Sequence, residues 1–430
     1  MSALRSSRRI LRLAAILAAW SAPAAAQPKP TTWVWPGPAP CDSTLQACID
    51  AAIDGDQVRI ATNDPITEEI FFSKELAIRP ASGFQPLFQN AVIQANTGRL
   101  GNSTLRLEGV TLQQSLVTWT QTGLGRATFV ITGNTFLSGV IALAAHVENA
   151  GPVSFTIAGN SFTGLFNTGI FVGASLASEG RFEGVIADNR METGIGNDPA
   201  IDLGRSVDAD VLRNRIYGAA PGIRVTGDAD VRIANNLLVG PEVPVGAPGP
   251  YGIGLLGQGA VRAAIVNNTI ARWRSGIALY GDSSIPGSLE ATVANNVLTH
   301  NVYGIDNDVN HDDPSSLVDY RNNLFFANYS DGWYTSALPS GRLRADPLYA
   351  SDTDYHPTPG SPAIDAGDDA SVPEGVTTDL DGNPRLQGDA VDIGAYEVQP
   401  LPVPQPAGAA GALAALAMLA AMRRLRSGAA

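Results

Sequence analysis

The sequence has little positive charge, and almost none of it is lysine. It contains 28 lysines and arginines against 41 aspartates and glutamates, which gives a formal net charge of −13. Loss of the four arginines near the start of the chain would make the balance 24 − 41, or −17. Affinity for nucleic acids and bare polyanions rests on neutralisation by Lys and Arg, so this balance excludes a nucleic-acid partner.

Cysteine is also scarce, with only Cys41 and Cys48 in the chain. They lie beside a short amphipathic stretch, residues 43–53, ahead of a strand predicted at 58–61. Seven residues of one continuous helix rise about 10.5 Å, too far for a disulfide, so Cys41 must lie in a loop that folds back. In an exported chain this arrangement predicts a Cys41–Cys48 disulfide that pins a capping helix over the open N-terminal end of a β-structure.

What the sequence has instead is one phrase repeated eight times: an alternating apolar strand, a polar pair that ends in asparagine, and an apolar residue two positions later. The repeated asparagines are Asn134, Asn160, Asn189, Asn214, Asn236, Asn268, Asn296 and Asn323. Three positions before them stand Ile131, Ile157, Ile186, Val211, Ile233, Ile265, Val293 and Tyr320, and two positions after them Phe136, Phe162, Met191, Ile216, Leu238, Ile270, Leu298 and Phe325. Side chains alternate faces along a strand, so these columns predict that every copy points the same residues inward.

The spacing of the repeat predicts an all-β fold. Successive asparagines are 26, 29, 25, 22, 32, 28 and 27 residues apart, which is too short for a propeller blade and too rich in β-branched residues for a helical repeat. We therefore expect a right-handed parallel β-helix over residues 56–345, with coils stacked about 4.8 Å apart. Asparagine tolerates the left-handed conformation at a tight turn and can bond to the next asparagine in the stack, which predicts an asparagine ladder.

A second strand in each coil carries a Gly-Ile phrase. It occurs at residues 169–173, 222–225, 252–255, 276–279 and 304–307, and at 200–204 with alanine in place of glycine. Residues 105–112 keep the register of the first strand, with Val110 in the asparagine position. At least nine coils are therefore readable, and the stack would be on the order of 45 Å long.

The most specific motifs of the chain lie between residues 346 and 398. They are Asp346-Pro347-Leu348, SPAIDAG at 361–367, TDLDGNPR at 378–385 and DIGAYE at 392–397. These motifs resemble the choice-of-anchor Q domain, a family of secreted bacterial right-handed β-helix proteins whose members end in various anchoring signals. The resemblance implies the fold and surface display but no settled reaction, and it predicts a small C-terminal capping module at 346–398.

Residues 1–26 are predicted to be a secretory signal peptide. Four arginines precede a short Ala/Leu run, and Ala24-Ala25-Ala26 supplies small residues for cleavage. The sequence does not decide between export by the general secretory route and export by the twin-arginine route. Residues 27–55 would then form a linker and the helical cap.

Residues 399–430 are predicted to be a sorting signal or a membrane anchor. A Pro-rich linker is followed by an apolar run at 407–422 and by Arg423, Arg424 and Arg426. About 16 apolar residues are marginal for a membrane span, for which about 20 is usual, and the basic end fits cytoplasmic retention. This order resembles C-terminal sorting signals of the PEP-CTERM kind, which implies a sorting transpeptidase or protease as a partner and a transient membrane contact. A plain membrane anchor is the alternative, and either address places the chain at the surface or exterior of a Gram-negative-type bacterium.

Resemblance to pectate-lyase-like β-helix proteins implies two candidate reactions on polysaccharides. Elimination needs a base next to the uronate carboxylate and a positive centre, and because Lys29 and Lys74 are the only lysines, the base would have to be Arg, His or Tyr. Hydrolysis needs two carboxyl groups, roughly 5.5 Å apart for retention or 6.5–9.5 Å for inversion. Asp306 and Asp308, two apart on one strand face, would lie about 6.6 Å apart and are the predicted catalytic pair.

The outward face of the stacked Gly-Ile strands supplies the rest of the candidate site. Asp202 and Arg224 lie on adjacent coils, where they could pair, and together with Tyr280 they are predicted to bind carbohydrate. Gly254 and Ala278 would leave a shallow trough between that pair and the acidic end of the face.

The acidic loop at 306–313 has the oxygen density that calcium prefers, although it lacks the ordered spacing of an EF-hand. Its predicted ligands are Asp306, Asp308, Asp312 and Asp313. The alternative is an ordinary solvated acidic loop. Calcium is the one cofactor for which the sequence supplies candidate ligands.

Two functions stay open. In the first, the chain is an exported cell-surface protein whose long face binds glycans or other surface components. In the second, it is a polysaccharide lyase or an inverting glycoside hydrolase that acts on the face from Asp202 to Asp308. An enzyme should have two converging carboxylates, or a carboxylate with an arginine, in a cleft flanked by aromatic side chains, whereas a smooth face would favour display or adhesion.

Overall fold

A computed structural model describes residues 30–97, 102–121, 125–145, 151–165, 167–174, 181–194, 196–218, 220–257, 259–281, 287–308, 317–333, 338 and 342–399. The predicted signal peptide and, apart from Gln399, the predicted C-terminal signal lie outside these residues. Within them, 35 strands form three sheets, named here A, B and C. None of the helices in this part of the chain is both long and apolar enough to cross a membrane.

The strands are listed by sheet in the order in which they hydrogen-bond. Sheet A contains β1 (Thr32–Trp35), β2 (Asp56–Ile60), β5 (Glu75–Pro80), β8 (Ser103–Glu108), β11 (Ala127–Thr132), β14 (Val153–Ala158), β17 (Phe182–Ala187), β20 (Val207–Leu212), β23 (Ala229–Ala234), β26 (Ala260–Val266), β29 (Ser288–Ala294) and β32 (Leu317–Arg321). Sheet B contains β3 (Pro65–Ile66), β6 (Leu87–Gln89), β9 (Thr111–Gln113), β12 (Thr135–Leu137), β15 (Ser161–Leu165), β18 (Arg190–Thr193), β21 (Arg215–Gly218), β24 (Leu237–Val239), β27 (Thr269–Ala271), β30 (Val297–Thr299), β33 (Leu324–Phe326) and β35 (Leu343–Arg344). Sheet C contains β4 (Glu69–Phe72), β7 (Val92–Thr97), β10 (Leu116–Gln121), β13 (Val140–Ala145), β16 (Ile170–Ala174), β19 (Ile201–Leu203), β22 (Ile223–Thr226), β25 (Tyr251–Gly257), β28 (Ser275–Gly281), β31 (Tyr303–Asn307) and β34 (Ser330–Trp333).

From β2 to β34 the chain enters sheets A, B and C in turn, and each strand pairs in parallel with the strand one circuit away. The last strand, β35, pairs with β33 in sheet B. One circuit is therefore one coil, and the predicted all-β, right-handed parallel β-helix is confirmed. The right-handed sense is the one that parallel crossover connections adopt almost without exception. Along the described strands, backbone groups pair with those of the neighbouring coils, as buried backbone requires.

The predicted inward columns form one continuous core. Ile233 and Ile265 pair across β23 and β26, and both are fully buried. Larger rings fill the earlier coils, where Phe136 stacks on Phe162 with ring centroids 4.4 Å apart. Because neighbouring coils present the same residue types at the same positions, these side chains interdigitate along the axis of the stack.

The predicted asparagine ladder is present. Asn268 shows the pattern: its Nδ2 donates 2.8 Å to the carbonyl of Ile233 in the coil before and 3.0 Å to Oδ1 of Asn296 in the coil after. That Oδ1 also accepts the backbone N–H of Asn268 at 2.9 Å. The same bonds recur from Asn134 to Asn296, and Asn323 ends the series.

The proposed reason for asparagine at this turn was wrong in one respect. The left-handed residue is the one that precedes each ladder asparagine, with φ between 45° and 64°, at Gly133, Gly159, Asp188, Arg213, Asn235, Asn267, Asn295 and Asn322. The ladder asparagine itself is selected by its buried amide, which must both donate and accept along the stack.

The N-terminal cap follows the prediction. Helix α1 (Leu45–Ala51) is capped by Thr44 and buries Leu45, Cys48 and Ile49 against the first coils. The Cys41–Cys48 disulfide is formed, with the two Cα atoms 4.4 Å apart, and Cys41 lies outside the helix.

Residues 346–398 pack along the flank of the stack, on the outer side of sheet B. Their only helix is a single 3₁₀ turn (Asp369–Ser371) within the described chain. Tyr355, Leu380 and Tyr396 pack on Leu237 and Ala271 of sheet B, while Ala363 and Ile393 pack on Val297 and Leu324. The module therefore covers the outer side of several successive coils, because sheet B there presents apolar side chains outward as well as inward.

Candidate functional site

An outward column of side chains runs the whole length of sheet C. Strand register aligns Phe71, Gln94, Thr118, Ala142, Phe171, Asp202, Arg224, Gly254, Ala278, Asp306 and Trp333. The register predicted from Phe171 to Asp306 is confirmed. In this column the charged residues stand only in the later coils.

Glycine in the Gly-Ile phrase is required where sheet B turns into sheet C. A Cβ on Gly222 would lie 2.3 Å from the carbonyl oxygen of Gly252 in the next coil. Backbone cannot yield at such a distance, so the corner closes tightly only without a side chain.

Asp202 and Arg224 form the ion pair that their adjacent coils suggested. Arg224 Nε donates to Asp202 Oδ1 at 2.9 Å, and Nη2 donates to Oδ2 at 2.6 Å. Asp202 is only 6 % exposed, whereas about a third of the Arg224 side chain reaches solvent. The hydrogen bonds to Asp202 raise the pKa of Arg224, so the guanidinium is charged at every relevant pH.

The predicted trough at Gly254 and Ala278 is filled. A Cβ on Gly254 would lie 2.4 Å from Cε2 of Tyr251, because that ring packs over the glycine. Burial raises the pKa of Tyr251, whose phenol lies beside Arg224. Sequence reasoning missed this because Tyr251 stands on the same strand, three residues before the glycine it covers.

Asp306 is enclosed by polar partners. It is 4 % exposed, and its Oδ2 accepts from Ser275 Oγ at 3.1 Å and Tyr280 Oη at 3.0 Å, with Arg274 Nη1 at 3.6 Å. Burial and the Asp306 carboxylate raise the pKa of Tyr280 to about 12, so this phenol keeps its proton. Tyr280 is therefore tied to Asp306 rather than to the Asp202–Arg224 pair with which it was grouped.

Asp308 follows β31 and is exposed. The structure thus separates the predicted catalytic pair into one enclosed and one solvated carboxylate, an arrangement that favours a structural role for Asp306. Of the predicted calcium ligands, Asp312 and Asp313 lie outside the described residues. Among those described, no group of three or more His, Cys, Asp or Glu side chains is arranged to hold a metal ion.

An open groove lies at the corner between sheets B and C, beside the Asp202–Arg224 pair. It has a volume of about 500 Å³ and is lined by Gln114, Ser115, Leu116, Ser138, Val140, Asn167, Thr168, Asp198, Asp202 and Arg224. These residues belong to five successive coils, so the groove is about 19 Å long. We call it the corner groove.

Leu116 and Val140, both half-buried, form an apolar floor of the corner groove. Exposed Gln114, Asn167 and Asp198 supply polar groups around it. The Asp202–Arg224 pair closes one end. The groove therefore combines an apolar surface with convergent hydrogen-bonding groups, which is the usual character of a ligand site.

Sequence reasoning found two residues of this groove and missed the rest. Asn167 and Asp198 lie in loops before the Gly-Ile strand, where the spacing between repeats varies most. A signal was available, because a variable loop beside a rigid scaffold is where binding residues concentrate.

The described lysine has a structural role. Lys74 Nζ donates to the carbonyls of Ile49, Asp50 and Ala52 over 2.7–3.1 Å, where it satisfies the C-terminal end of α1. Lys74 is thus committed to the N-terminal cap.

Comparisons with known proteins leave the family open. No family model matches the chain, and no curated protein matches it. The choice-of-anchor Q assignment therefore stays a prediction.

Several solved structures are similar to the chain at low identity. The pectate lyase Pel9A is 12 % identical, with 86 % of this chain and 97 % of that chain covered and a TM-score of 0.37. The PL6 family alginate lyase AlyGC is 13 % identical over 74 % of this chain and 53 % of its own, with a TM-score of 0.27. A mannuronic acid specific family 6 lyase from human gut microbiota is 10 % identical over 69 % and 87 %, with a TM-score of 0.22. Likeness at this level does not assign an activity.

Proposed function

We propose that this chain is an exported, cell-surface protein that binds a glycan strand in the corner groove. The observation that carries the proposal is the groove itself, about 500 Å³ in volume, with an apolar floor and a polar rim. A sugar ring has an apolar C–H face and a hydroxyl edge, so it matches such a surface. Because the groove crosses five coils along the axis, it fits a linear polymer better than a compact ligand.

Binding fits the site better than catalysis. Both oxygens of Asp202 are occupied by Arg224, and Asp306 is enclosed by Ser275 and Tyr280. A general acid or base must reach the substrate, and these two carboxylates are already committed to neighbours. Their geometry instead fixes an arginine and a tyrosine in place.

A lyase or hydrolase is the second candidate, and one observation favours it. Asp198, Asp202 and Arg224 all line the same groove, so carboxylates and an arginine converge there. Exposed Asp198 would then be the group that meets substrate. Release of reducing ends from a bound glycan would identify a hydrolase, and release of unsaturated products would identify a lyase.

The test is to block the groove. Val140→Trp on β13 should fill its floor and weaken glycan binding at least about tenfold. Val130→Trp is the matched control, since Val130 is also half-buried and outward on the same coil but lies on sheet A. Asn167→Trp, at an exposed position, is a second blocking variant if Val140→Trp unfolds. Binding is measured by affinity electrophoresis against a glycan panel. Equal binding by all these proteins would mean that the glycan binds outside the groove, and no binding by any of them would mean that the protein does not bind these glycans.

Surface location is part of the same proposal. The Cys41–Cys48 disulfide suits an oxidising compartment, and residues 1–26 and 399–430 carry the predicted export and sorting signals. If the C-terminal signal is read by a sorting transpeptidase or protease, surface-extracted protein should lack the apolar run. An intact peptide reaching Ala430 in mass spectrometry would identify a plain anchor instead.

A further inference from the structure

The charges of the corner groove bear on which glycans it can accept. Three of its ten lining residues are charged, Asp198, Asp202 and Arg224, so its formal charge is 1 − 2, or −1. The other seven lining residues are hydroxyl, amide or aliphatic side chains. The whole chain is also acidic, with a net charge of −13. No long-range field of the protein therefore offsets the negative groove.

The one cation of the groove is already neutralised. Arg224 gives Nε and Nη2 to the two oxygens of Asp202, which is the bidentate geometry that a ligand carboxylate would otherwise occupy. A uronate competing for that fork would displace a carboxylate that is 6 % exposed and leave it unpaired. The pair can still accept and donate hydrogen bonds at its solvent side.

Asp198 lies at the rim, near enough to Arg224 that its charge helps to raise the pKa of that guanidinium. It is exposed and lines the same groove as the pair. A carboxylate in this position repels a second negative charge but accepts hydrogen bonds from sugar hydroxyls.

On the basis of the proposed function, we infer that the corner groove selects neutral, hydroxyl-rich glycans and rejects polyuronates. A polyuronate carries one negative charge per sugar, so a strand that spans the groove brings several carboxylates against a net negative lining. A neutral strand meets the same groups as hydrogen-bond partners and covers the apolar floor formed by Leu116 and Val140. Selectivity then comes from a repulsive element as well as from attractive contacts.

The experiment compares purified wild-type protein on neutral β-glucan, mannan and xylan with polygalacturonate and alginate. Wild-type protein should bind at least one neutral polymer and bind both polyuronates at least about tenfold more weakly. Neutral binding should change little over about a tenfold range of salt concentration, because no ion pair with the ligand forms.

Charge reversal at the rim sharpens the test. Asp198→Lys should raise polyuronate affinity at least about tenfold and make that binding salt-sensitive. Glu290→Lys makes the same change of charge at an exposed position on sheet A and should leave polyuronate binding as in wild type.

The outcomes separate this inference from the function it rests on. Polyuronate binding by wild-type protein equal to or stronger than neutral binding would overturn the inference and keep the groove as a glycan site. Failure of every polymer to bind would overturn both. If Asp198→Lys gains no polyuronate affinity, the electrostatic basis of the selectivity is wrong.

Discussion

The coils and the C-terminal module satisfy their buried polar groups in opposite ways. In the coils, backbone groups pair with backbone groups of the next coil, and one asparagine per turn completes the pattern. In the module, buried carboxylates accept backbone N–H groups that regular ladders would otherwise satisfy. Asp379 accepts from Asp381, Asn383 and Glu397, while Asp392 accepts from Asp365 and Val398.

Arg385 is the cation at the centre of those carboxylates. It is 1 % exposed, and its Nη2 donates to the carbonyl of Gly394 at 2.8 Å, with Nε 3.6 Å from Glu397. The motifs TDLDGNPR and DIGAYE thus consist largely of residues that hold an irregular chain together. Repetition thus spreads the stabilisation of the coils over many equivalent bonds, whereas the module depends on a few bonds that have no substitute.

The largest expected effect breaks the coils. Ile265→Asp places an unpaired carboxylate where the side chain is fully buried between two coils. The free energy of unfolding should fall by several kcal/mol, because a buried charge without a partner is strongly unfavourable. Thermal melts should show loss of the coil transition. A change below about 1 kcal/mol would mean that position 265 does not face inward.

The next largest effect is expected in the module, with the coils unaffected. Asp379→Ala removes the acceptor for three backbone N–H groups in a side chain that is 1 % exposed. Unfolding of the module should become easier by about 3 kcal/mol. Hydrogen exchange should rise across residues 363–398 while the coil transition in a thermal melt stays unchanged. A parallel loss of the coils would contradict the separation of the two regions.

Neighbouring asparagines allow a finer comparison at a single turn. Asn268→Ala removes one rung of the buried ladder and should cost the coils about 1 to 2 kcal/mol. It is expected to rank below Ile265→Asp in the same melts. The reverse ranking would contradict the inward register.

Asn267→Gly tests the outward partner at that turn. Asn267 has φ 57°, and its Nδ2 donates to the Asp392 carbonyl at 2.8 Å. Glycine keeps the left-handed backbone without strain, so the expected loss of about 1 kcal/mol falls on module docking alone. Limited proteolysis of the module should accelerate, and a lower coil melting temperature would count against this assignment.

The smallest effect depends on pH. Burial lowers the pKa of His356, but hydrogen bonds to Asp381 and Asp354 outweigh it, so the pKa is raised above 6.5. His356 Nε2 lies 2.7 Å from Asp381 Oδ2, while Oδ1 of Asp381 binds Arg215 on the coils at 2.6 Å. A raised histidine pKa stabilises the folded module fully below about pH 6.5 and loses that contribution as pH rises through the folded value.

The imidazole is nearly half exposed, so only a few tenths of a kcal/mol are expected. Burial also raises the pKa of Glu397 to about 7, so the module loses stability as pH rises from about 4.5 to about 7, and this loss overlaps only the acidic end of the histidine window. The difference between wild type and His356→Gln in module exchange, measured from pH 6 to 8, isolates the histidine. Parallel curves for the two proteins would remove His356 from the docking contact.

The fold of the coils could be predicted from the sequence because every repeat has apolar residues in the same two columns. Position 265 could be assigned inward since seven other repeats agree with it. The module carries each motif once, so neither its flank position nor the role of Asp379 could follow from a pattern. The corner groove was missed for a related reason: Asn167 and Asp198 lie in loops whose lengths differ from coil to coil, and their proximity depends on how those loops fold.

The sequence also contains a pattern that indicates where the module docks. The ladder asparagine is preceded by glycine, aspartate or arginine in the earlier repeats but by a second asparagine at positions 235, 267, 295 and 322. Those four side chains donate over 2.7–3.0 Å to module carbonyls, at Thr378, Asp392, Asp368 and Ala366. The doublets therefore mark four of the coils on which the module docks, and the module also bonds to Arg213 and Arg215 of the preceding coil.

These doublets divide the stack into a part of adjustable length and a part of fixed length. A coil duplicated before Ile186 would lengthen the protein by about 4.8 Å and leave every module contact in register. A coil duplicated between Asn235 and Asn322 would shift the later asparagines by the same distance from the carbonyls they reach, and no hydrogen bond spans such a gap. Natural or engineered variation in coil number should therefore accumulate in the first half of the stack, where the corner groove would change its length and, under the proposed function, the number of sugars that it could hold.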